Sequence, residues 1–520
     1  MMTHTFSALP SLSIALSIVA ASSVGFAQEP AAPAAAAVPS ASGEARATAD
    51  VATPVPTSTE DATTAAPATA PAKTAEKAAP APAALAPEAP PTTPAHSSWF
   101  YRDPISLTLG KRVSIRWYGV VQADFIYDTT RSYGDTIGSG LVARNDTYEG
   151  TVGRFQASSR STRFGLALDA KAIGGVTPSS VLEADFAGDQ PTSDVGASER
   201  SYYDSPGLRL RHAYLKLGSD AVDLLVGQTD DVFGWQNTPA SVSRHTQVRL
   251  STSFLARGPV GLDFAVAALR PAQRDSRMPD AQAGLRITAN RWKGVYARDG
   301  IPSARKLSLG VSGVARQFDA EAFTPPPTQT SNKVVGWGLS VDAVLPVIPA
   351  RDEYDRSNAL TLAGSYVTGT GVGDLMRVDG GAKFPPLPNP ARASPPPEYE
   401  ANLDEGLVSF DRLGVLNTID WNAFRVDAQY YLPPSGRVRI QGIYTQAYSK
   451  NMSALYPQGG AEIDLLTHIA DRFRYVEGNI YWDVTPELRL GAACIYTTVT
   501  YLDGKEPHSI RGKASAYYFF

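Results

Sequence analysis

Cysteine, histidine, long apolar runs and net charge are all scarce in this chain, and each scarcity removes a class of protein. A single cysteine, Cys494, among 520 residues excludes a disulfide framework and a thiolate zinc site. The six histidines (His4, His96, His212, His245, His468, His508) stand at no Ser or Asp spacing that assembles a nucleophile and base. No catalytic residue, metal ligand or cofactor is therefore assigned. No apolar stretch approaches the ~20 residues of a membrane-spanning helix, which excludes a helical membrane protein. A membrane barrel survives that test, because its alternating strands average out in hydropathy. The formal net charge is only −4, and residues 98–520 hold 44 bases against 44 acids. A balanced body gives no footing for a nucleic-acid partner, which needs a basic excess.

What is present divides the chain into three. Residues 1–27 read as an export signal: a short apolar stretch, Leu12 to Ala21, followed by Gly25-Phe26-Ala27 with small residues where a signal peptidase reads. Cleavage is expected after Ala27, although the n-region carries no Lys or Arg. Residues 28–97 contain 26 Ala and 13 Pro and no Phe, Tyr or Trp. Such a segment buries too little apolar surface to offset chain entropy and is expected to be a disordered, extended periplasmic linker. A plain spacer is one reading of it; a tether that touches peptidoglycan is the other.

Residues 98–520 carry short alternating segments separated by Gly, Pro, Asp and Asn clusters, with almost no helical periodicity. Sixteen strands are expected near 113–127, 154–168, 180–187, 207–217, 221–228, 247–255, 260–269, 281–290, 304–317, 333–345, 358–369, 420–432, 436–448, 472–484, 487–501 and 508–520. In Phe424, Val426, Ala428 and Tyr430 one face is apolar, while Arg425, Asp427 and Gln429 form the other. Connections after odd-numbered strands are mostly long and those after even-numbered strands mostly short. An all-β, 16-stranded antiparallel transmembrane barrel with long outer loops and short periplasmic turns gives this asymmetry. The segment 291–303 (RWKGVYARDGIPS) is the exception, long for a turn. A soluble sandwich or propeller has no use for strands this long. The chain ends Ala516-Tyr517-Tyr518-Phe519-Phe520, and Tyr518 and Phe520 on that last strand look like the signal read by the outer-membrane barrel assembly machinery.

Several motifs add a family resemblance. Val113-Ser-Ile-Arg-Trp-Tyr-Gly-Val-Val-Gln-Ala-Asp-Phe-Ile-Tyr-Asp128 resembles the first strand of the DcaP-like outer-membrane porins of Gram-negative bacteria, and Ser159-Arg-Ser-Thr-Arg-Phe-Gly165 their second. Glu183-Ala-Asp-Phe186 resembles the third strand, and Leu208 to Tyr214 and Gly227 to Thr229 with Phe233 the fourth and fifth. The motifs cover most of 113–250; the remainder matches by strand pattern. The resemblance implies a homotrimeric channel in the outer membrane, set in lipid and lipopolysaccharide, that passes small anions such as dicarboxylates. Phosphate-selective porins are more distant relatives. The Ala/Pro-rich 28–97 departs from the family, many of whose members carry a coiled-coil-forming segment there, because it cannot sustain heptads.

Strand parity nominates the lumen wall. Arg163, Arg209, Arg211, Arg249, Arg286, Arg316, Arg425 and Arg439 fall on the inward face, and arginine's planar fork suits carboxylate or phosphate. The competing reading is that these arginines only brace the wall against lumenal acids. Arg160 and Arg163 cannot share a face of a regular strand, so either a bulge intervenes or one of them lies near an interface or turn. The resemblance implies that loop 229–246 folds inward, with Asp230 and Asp231 facing the basic wall across a constriction and Phe233 and Trp235 anchoring the loop. Arg209 and Arg211 are expected to stand ~6.6 Å apart on one face, a spacing that suits a short dicarboxylate. Loop 370–419 is expected to be a lid or variable outer surface. The expected function is a passive porin for small hydrophilic solutes with a modest anion preference; a structural anchor or adhesin, or a phosphate- or polyphosphate-selective porin, remains the alternative.

Overall fold

The alternating runs fold into strands whose apolar faces all turn the same way, outward. The computed structural model describes residues 105–110, 112–137, 141–188, 203, 206–234, 243–255, 258–273, 276–298, 300–321, 331–376, 406–410, 415–455 and 469–520. The export signal and the Ala/Pro-rich linker lie outside the described residues.

The strands are β1 (Ile105–Leu109), β2 (Val113–Asp128), β3 (Arg154–Ser158), β4 (Arg163–Ala170), β5 (Thr177–Gly188), β6 (Gly207–Gly218), β7 (Asp223–Asp230), β8 (Arg244–Phe254), β9 (Val260–Leu269) and β10 (Asp280–Arg298). They continue with β11 (Ile301–Glu321), β12 (Ser331–Ile348), β13 (Leu360–Thr370), β14 (Val408–Phe410), β15 (Leu416–Thr418), β16 (Asp420–Tyr431), β17 (Val438–Ser449), β18 (Ala470–Asp483), β19 (Leu488–Tyr501) and β20 (His508–Phe519). With β3 and β4 counted as one broken stave, and with β1 and the small β14–β15 hairpin set aside, they form a closed antiparallel barrel of 16 staves. The ring closes where β2 pairs with β20, from Val120↔Phe519 to Asp128↔Arg511.

Closure satisfies every flank of the first stave. Below the end of β20, β1 pairs with β2 from Ile105↔Trp117 to Leu109↔Val113, continuing the line of the last stave. Gly119 and Phe520 exchange backbone hydrogen bonds of 3.0 and 3.2 Å at the join. A Cβ on Gly119 would stand 2.4 Å from the Phe520 ring, so the seam needs glycine there. Exposed Val121, Phe125, Val226, Leu285, Val426 and Ile510 contribute to an apolar outer belt. Exposed Trp117, Trp482, Tyr518 and Phe520 stand toward its short-turn end, and Tyr127, Phe155 and Trp337 toward the long-loop end. Apolar outside, polar inside and aromatic at both rims is the pattern of a barrel that crosses a bilayer.

Two departures from regular staves matter for the interior. Between β3 and β4 the chain turns, with Thr162 N–H donating to the Ser159 carbonyl at 2.9 Å. This break is what lets both Arg160 and Arg163 point inward. The second is the segment 291–303, expected as a long turn, which the structure makes a ribbon. Past a register shift between Ala289 and Lys293, β10 and β11 stay paired from Lys293↔Lys306 to Arg298↔Ile301. The wall partners stop earlier, at Ala289↔Val260 on one side and Ser308↔Val344 on the other. The ribbon therefore leaves the wall, and its contacts show that it folds back into the barrel.

Candidate functional site: the barrel lumen

Ion pairs cover the inner wall of β4, β5 and β6. Glu183 and Asp185 on β5 are buried between arginines on both neighbours. Arg211 Nε donates to Glu183 at 2.6 Å and its Nη1 to Asp185 at 3.0 Å. Arg209 binds Asp185 through two bonds of 3.0 and 2.7 Å, and Arg163 approaches Glu183 to 3.6 Å. Tyr118 donates to the other oxygen of Glu183 at 3.0 Å. A bulge explains the crowding: Glu183 pairs with His212 but Ala184 with Leu210, so Arg211 is the extra residue and both Arg211 and His212 face in. His212 lies 3.0 Å from the Thr229 hydroxyl. The expected dicarboxylate seat of Arg209 and Arg211 is thus already filled by the chain's own carboxylates.

Farther round, Arg286 binds Asp263 at 2.8 Å. Arg249 finds only the Asp230 carbonyl at 3.3 Å, with no carboxylate among the described residues at ion-pair distance. Arg316 is a brace: buried, it binds Asp280 at 2.5 Å and Asp374 at 2.6 Å and also donates to the Gly371 carbonyl. It thereby pins the start of the loop after β13 to the wall. Arg425 donates to the Thr445 hydroxyl at 3.3 Å. Arg439 is buried with its guanidinium 4.3 Å from the Tyr481 ring centre.

The described start of the third long loop, residues 231–234, lies against the inner wall. Val232 N–H and Phe233 N–H both donate to Gln282 on β10 at 2.9 and 2.8 Å, and Gly234 N–H to Ser312 on β11 at 2.8 Å. Phe233 is 1% exposed, and a Cβ on Gly338 of β12 would come within 3.1 Å of its ring. Trp235 lies outside the described residues. Asp230 and Asp231 do not face an open basic wall. Asp230 is held by Arg298 at 2.8 Å, and Asp231 by His245 at 2.9 Å.

Two structures fill one side of the lumen. Toward the long-loop end, Tyr133, Phe233, Val372, Leu375, Trp421 and Phe473 join one apolar cluster that runs from β11 round to β19. Toward the short-turn end the β10–β11 ribbon packs inside the same arc. Val295 meets Ala359 and Tyr431, and Tyr296 meets Val344 and Ala363. The Tyr296 hydroxyl donates to Asp427 at 3.0 Å, and Ala297 exchanges two hydrogen bonds with the Gln429 amide, at 2.7 and 3.0 Å. The tip reaches the far wall, where Ile301 packs on Val120 and Phe519 and Arg489 donates to the Gly300 carbonyl. Nothing in the alternation of 291–303 signals this destination, because the register shift and Pro302 interrupt it.

Above the wall, the loop after β2 is clamped to the loop before β20. Arg144 binds Asp503 at 2.7 Å, and Lys505 binds Asp146. These partners hold the Asp146 carboxyl down at about 2, with Lys505 the largest cause, and hold Asp503 below its ordinary value through Arg144. No group of three or more metal-ligating side chains occurs among the described residues.

No protein-family model and no curated protein matches the chain. Among solved structures, the outer membrane channel DcaP of Acinetobacter baumannii is similar over 80% of this chain and 99% of its own, with a TM-score of 0.54 and 17% identity. An anion-selective porin from Comamonas acidovorans scores 0.44 with 10% identity, over 78% of this chain and 100% of its own. The trimer form of OmpT, an outer membrane protein of Vibrio cholerae, scores 0.43 with 11% identity, over 78% and 99%. The strand motifs resemble the DcaP-like porins, and the chain shares the 16-stranded barrel fold of the DcaP channel.

Proposed function

We propose that this protein is an outer-membrane porin, a passive channel for small hydrophilic solutes with a modest preference for anions such as dicarboxylates. One observation carries the reading: a closed barrel of this width has an apolar outside and, along β4 to β9, an inside lined by charged side chains. Narrow barrels fill with their own side chains, whereas 16-stranded ones leave room for water. The short-turn end faces the periplasm and the long-loop end the exterior. Export through the signal at 1–27, a homotrimeric assembly, and recognition of Tyr518 and Phe520 by the assembly machinery belong to the same proposal.

The anion preference rests on incomplete pairing. Glu183, Asp185 and Asp263 neutralise much of the arginine charge on the wall, and Asp230 takes Arg298. The surplus is Arg249 with a carbonyl partner and Arg305 with the Ser303 hydroxyl, at 3.1 Å. A small surplus gives a small preference, stronger at low salt, where the Debye length grows from ~10 Å at 0.1 M to ~30 Å at 0.01 M. Single-channel recording of the reconstituted protein in graded KCl and succinate tests the reading. Open channels with an anion-favouring reversal potential support it. A folded barrel with no conductance favours an anchor or adhesin, and current blocked by phosphate or polyphosphate but not by succinate favours a phosphate-selective porin. Hydrolytic activity would remove the non-enzymatic reading.

A further inference from the structure

We infer that the β10–β11 ribbon, residues 290–306, is the element that sets the size and charge selectivity of the passage, in place of the third long loop. This rests on the channel reading above. The ribbon is rooted at the eighth and ninth staves, and its tip touches β19, β20 and β2 on the opposite side of the ring. Each arm of ~6 residues spans ~20 Å, enough to bridge much of a barrel lumen. Its side-chain contacts across the lumen are with inward-facing residues: Asp427, Gln429 and Tyr431 alternate with exposed Phe424 and Val426 on β16, and Phe519 lies between exposed Tyr518 and Phe520. It is thus a crossbar held at both ends, and Val295, Tyr296, Ala297 and Ile301 are buried.

The crossbar lies against β12, β13 and β16, the same side that the apolar cluster fills farther up. Water and solute are left the other half of the ring, along β4 to β9. The ribbon presents Arg298 and Arg305 toward that half. Arg298 spans to Asp230 at the upper end of β7, and Arg305 lies within electrostatic reach of both Arg298 and Arg286. Arg305 is largely buried, and its guanidinium donates to the Ser303 hydroxyl, with no carboxylate among the described residues at ion-pair distance. A cation held near two others with no fixed anion at ion-pair distance attracts a mobile anion to the adjoining passage. The third loop contributes less charge to the passage, since Asp231 is held by His245 and Phe233 is packed against the wall.

The experiment compares three proteins in planar bilayers: wild type, a variant in which 292–305 is replaced by Asn-Gly, and Arg305→Gln. Each is first confirmed as a folded barrel by heat-modifiable mobility. Removing the crossbar should raise single-channel conductance by about twofold or more, because the open section sets conductance, and should weaken the anion preference. Arg305→Gln should keep the wild-type conductance and lower the anion preference, most strongly at 0.01 M salt. A folded deletion variant with wild-type conductance and selectivity overturns the inference and leaves the channel reading standing. A silent wild type with a conducting deletion supports it, the ribbon then being a complete block. If both are silent, the channel reading fails and the inference with it. Where the deletion does not fold, an unchanged reversal potential in Arg305→Gln overturns the inference.

Discussion

The two halves of the inner wall use the same residue types to opposite ends. Along β11 to β19, arginines lie beneath other structure: Arg316 under the loop after β13, Arg439 against Tyr481, Arg489 below the ribbon tip. Along β4 to β9 most stand beside carboxylates, and Arg209 and Arg249 keep part of their surface exposed. On the first half an arginine is a fastener, and its charge is spent on carbonyls, ring faces and buried acids. On the second, charge matters only as the residue left after pairing. An arginine count around the ring therefore says little about selectivity; the count must be restricted to the half that solute reaches, and then to the groups without a carboxylate.

The largest effect is expected from breaking the seam that holds both halves. Deleting Tyr518 to Phe520 removes the Gly119–Phe520 join and the floor under Ile301. Unpaired strand ends cannot be satisfied in lipid, so folded, heat-modifiable protein should be lost from outer-membrane fractions. Normal insertion of the truncated chain would show that closure does not depend on this join.

A smaller but sign-changing effect is expected on the open half. Arg209→Ser with Arg211→Ser leaves Glu183 and Asp185 under-neutralised, so the double variant should turn toward cations rather than merely lose anion preference. Glu183→Gln should act in the opposite direction, freeing Arg163 and Arg211 and raising anion preference at low salt. Reversal potentials in a KCl gradient read both. Unchanged values in both variants would mean that solute does not pass this wall.

On the filled half the expected effect is on stability instead. Phe233→Ala opens a cavity in the apolar cluster, for which losses of about 3–5 kcal/mol are usual. The denaturant midpoint of the detergent-solubilised barrel should fall, while Arg425→Gln on the same half should leave the reversal potential close to wild type. The smallest effect concerns the outer clamp. Because Lys505 and Arg144 depress Asp146, the clamp's contribution is complete above the ordinary carboxylate range, near ~4, and is lost as pH falls toward about 2. Proteolytic nicking of the loop after β2 in acid-stable detergent should therefore change little between pH 7 and pH 4, and rise only below that.

Much of this was legible in the sequence, for a physical reason. Period-two alternation fixes which face of a strand meets lipid, so the sixteen staves and the inward arginines follow from Phe424, Val426 and Arg425 and their like. The conflict between Arg160 and Arg163 signalled an irregularity, which the structure resolves as the turn between β3 and β4. Pairing was not legible, because parity gives a face and not a neighbour: only the register of β5 on β6, shifted by the Arg211 bulge, brings Glu183 and Asp185 between three arginines. The ribbon was hidden for a different reason. Its strand pattern is short and interrupted, and its inward fold depends on contacts with Asp427, Gln429 and Val120, which lie far off in sequence.

Water access to single cysteines tests the division of the lumen most directly. Native Cys494 is exposed on the outward face of β19 and can be replaced by serine at little structural cost. In that background Arg209→Cys and Arg249→Cys stand on the open half, Arg425→Cys and Arg439→Cys on the filled half. A charged methanethiosulfonate reagent added during bilayer recording should react quickly at the first two and step the current down. At the second two it should react slowly, with little change in current. Fast modification with block at Arg425→Cys and Arg439→Cys, and none at Arg209→Cys and Arg249→Cys, would place the passage on the other side of the barrel and contradict the account.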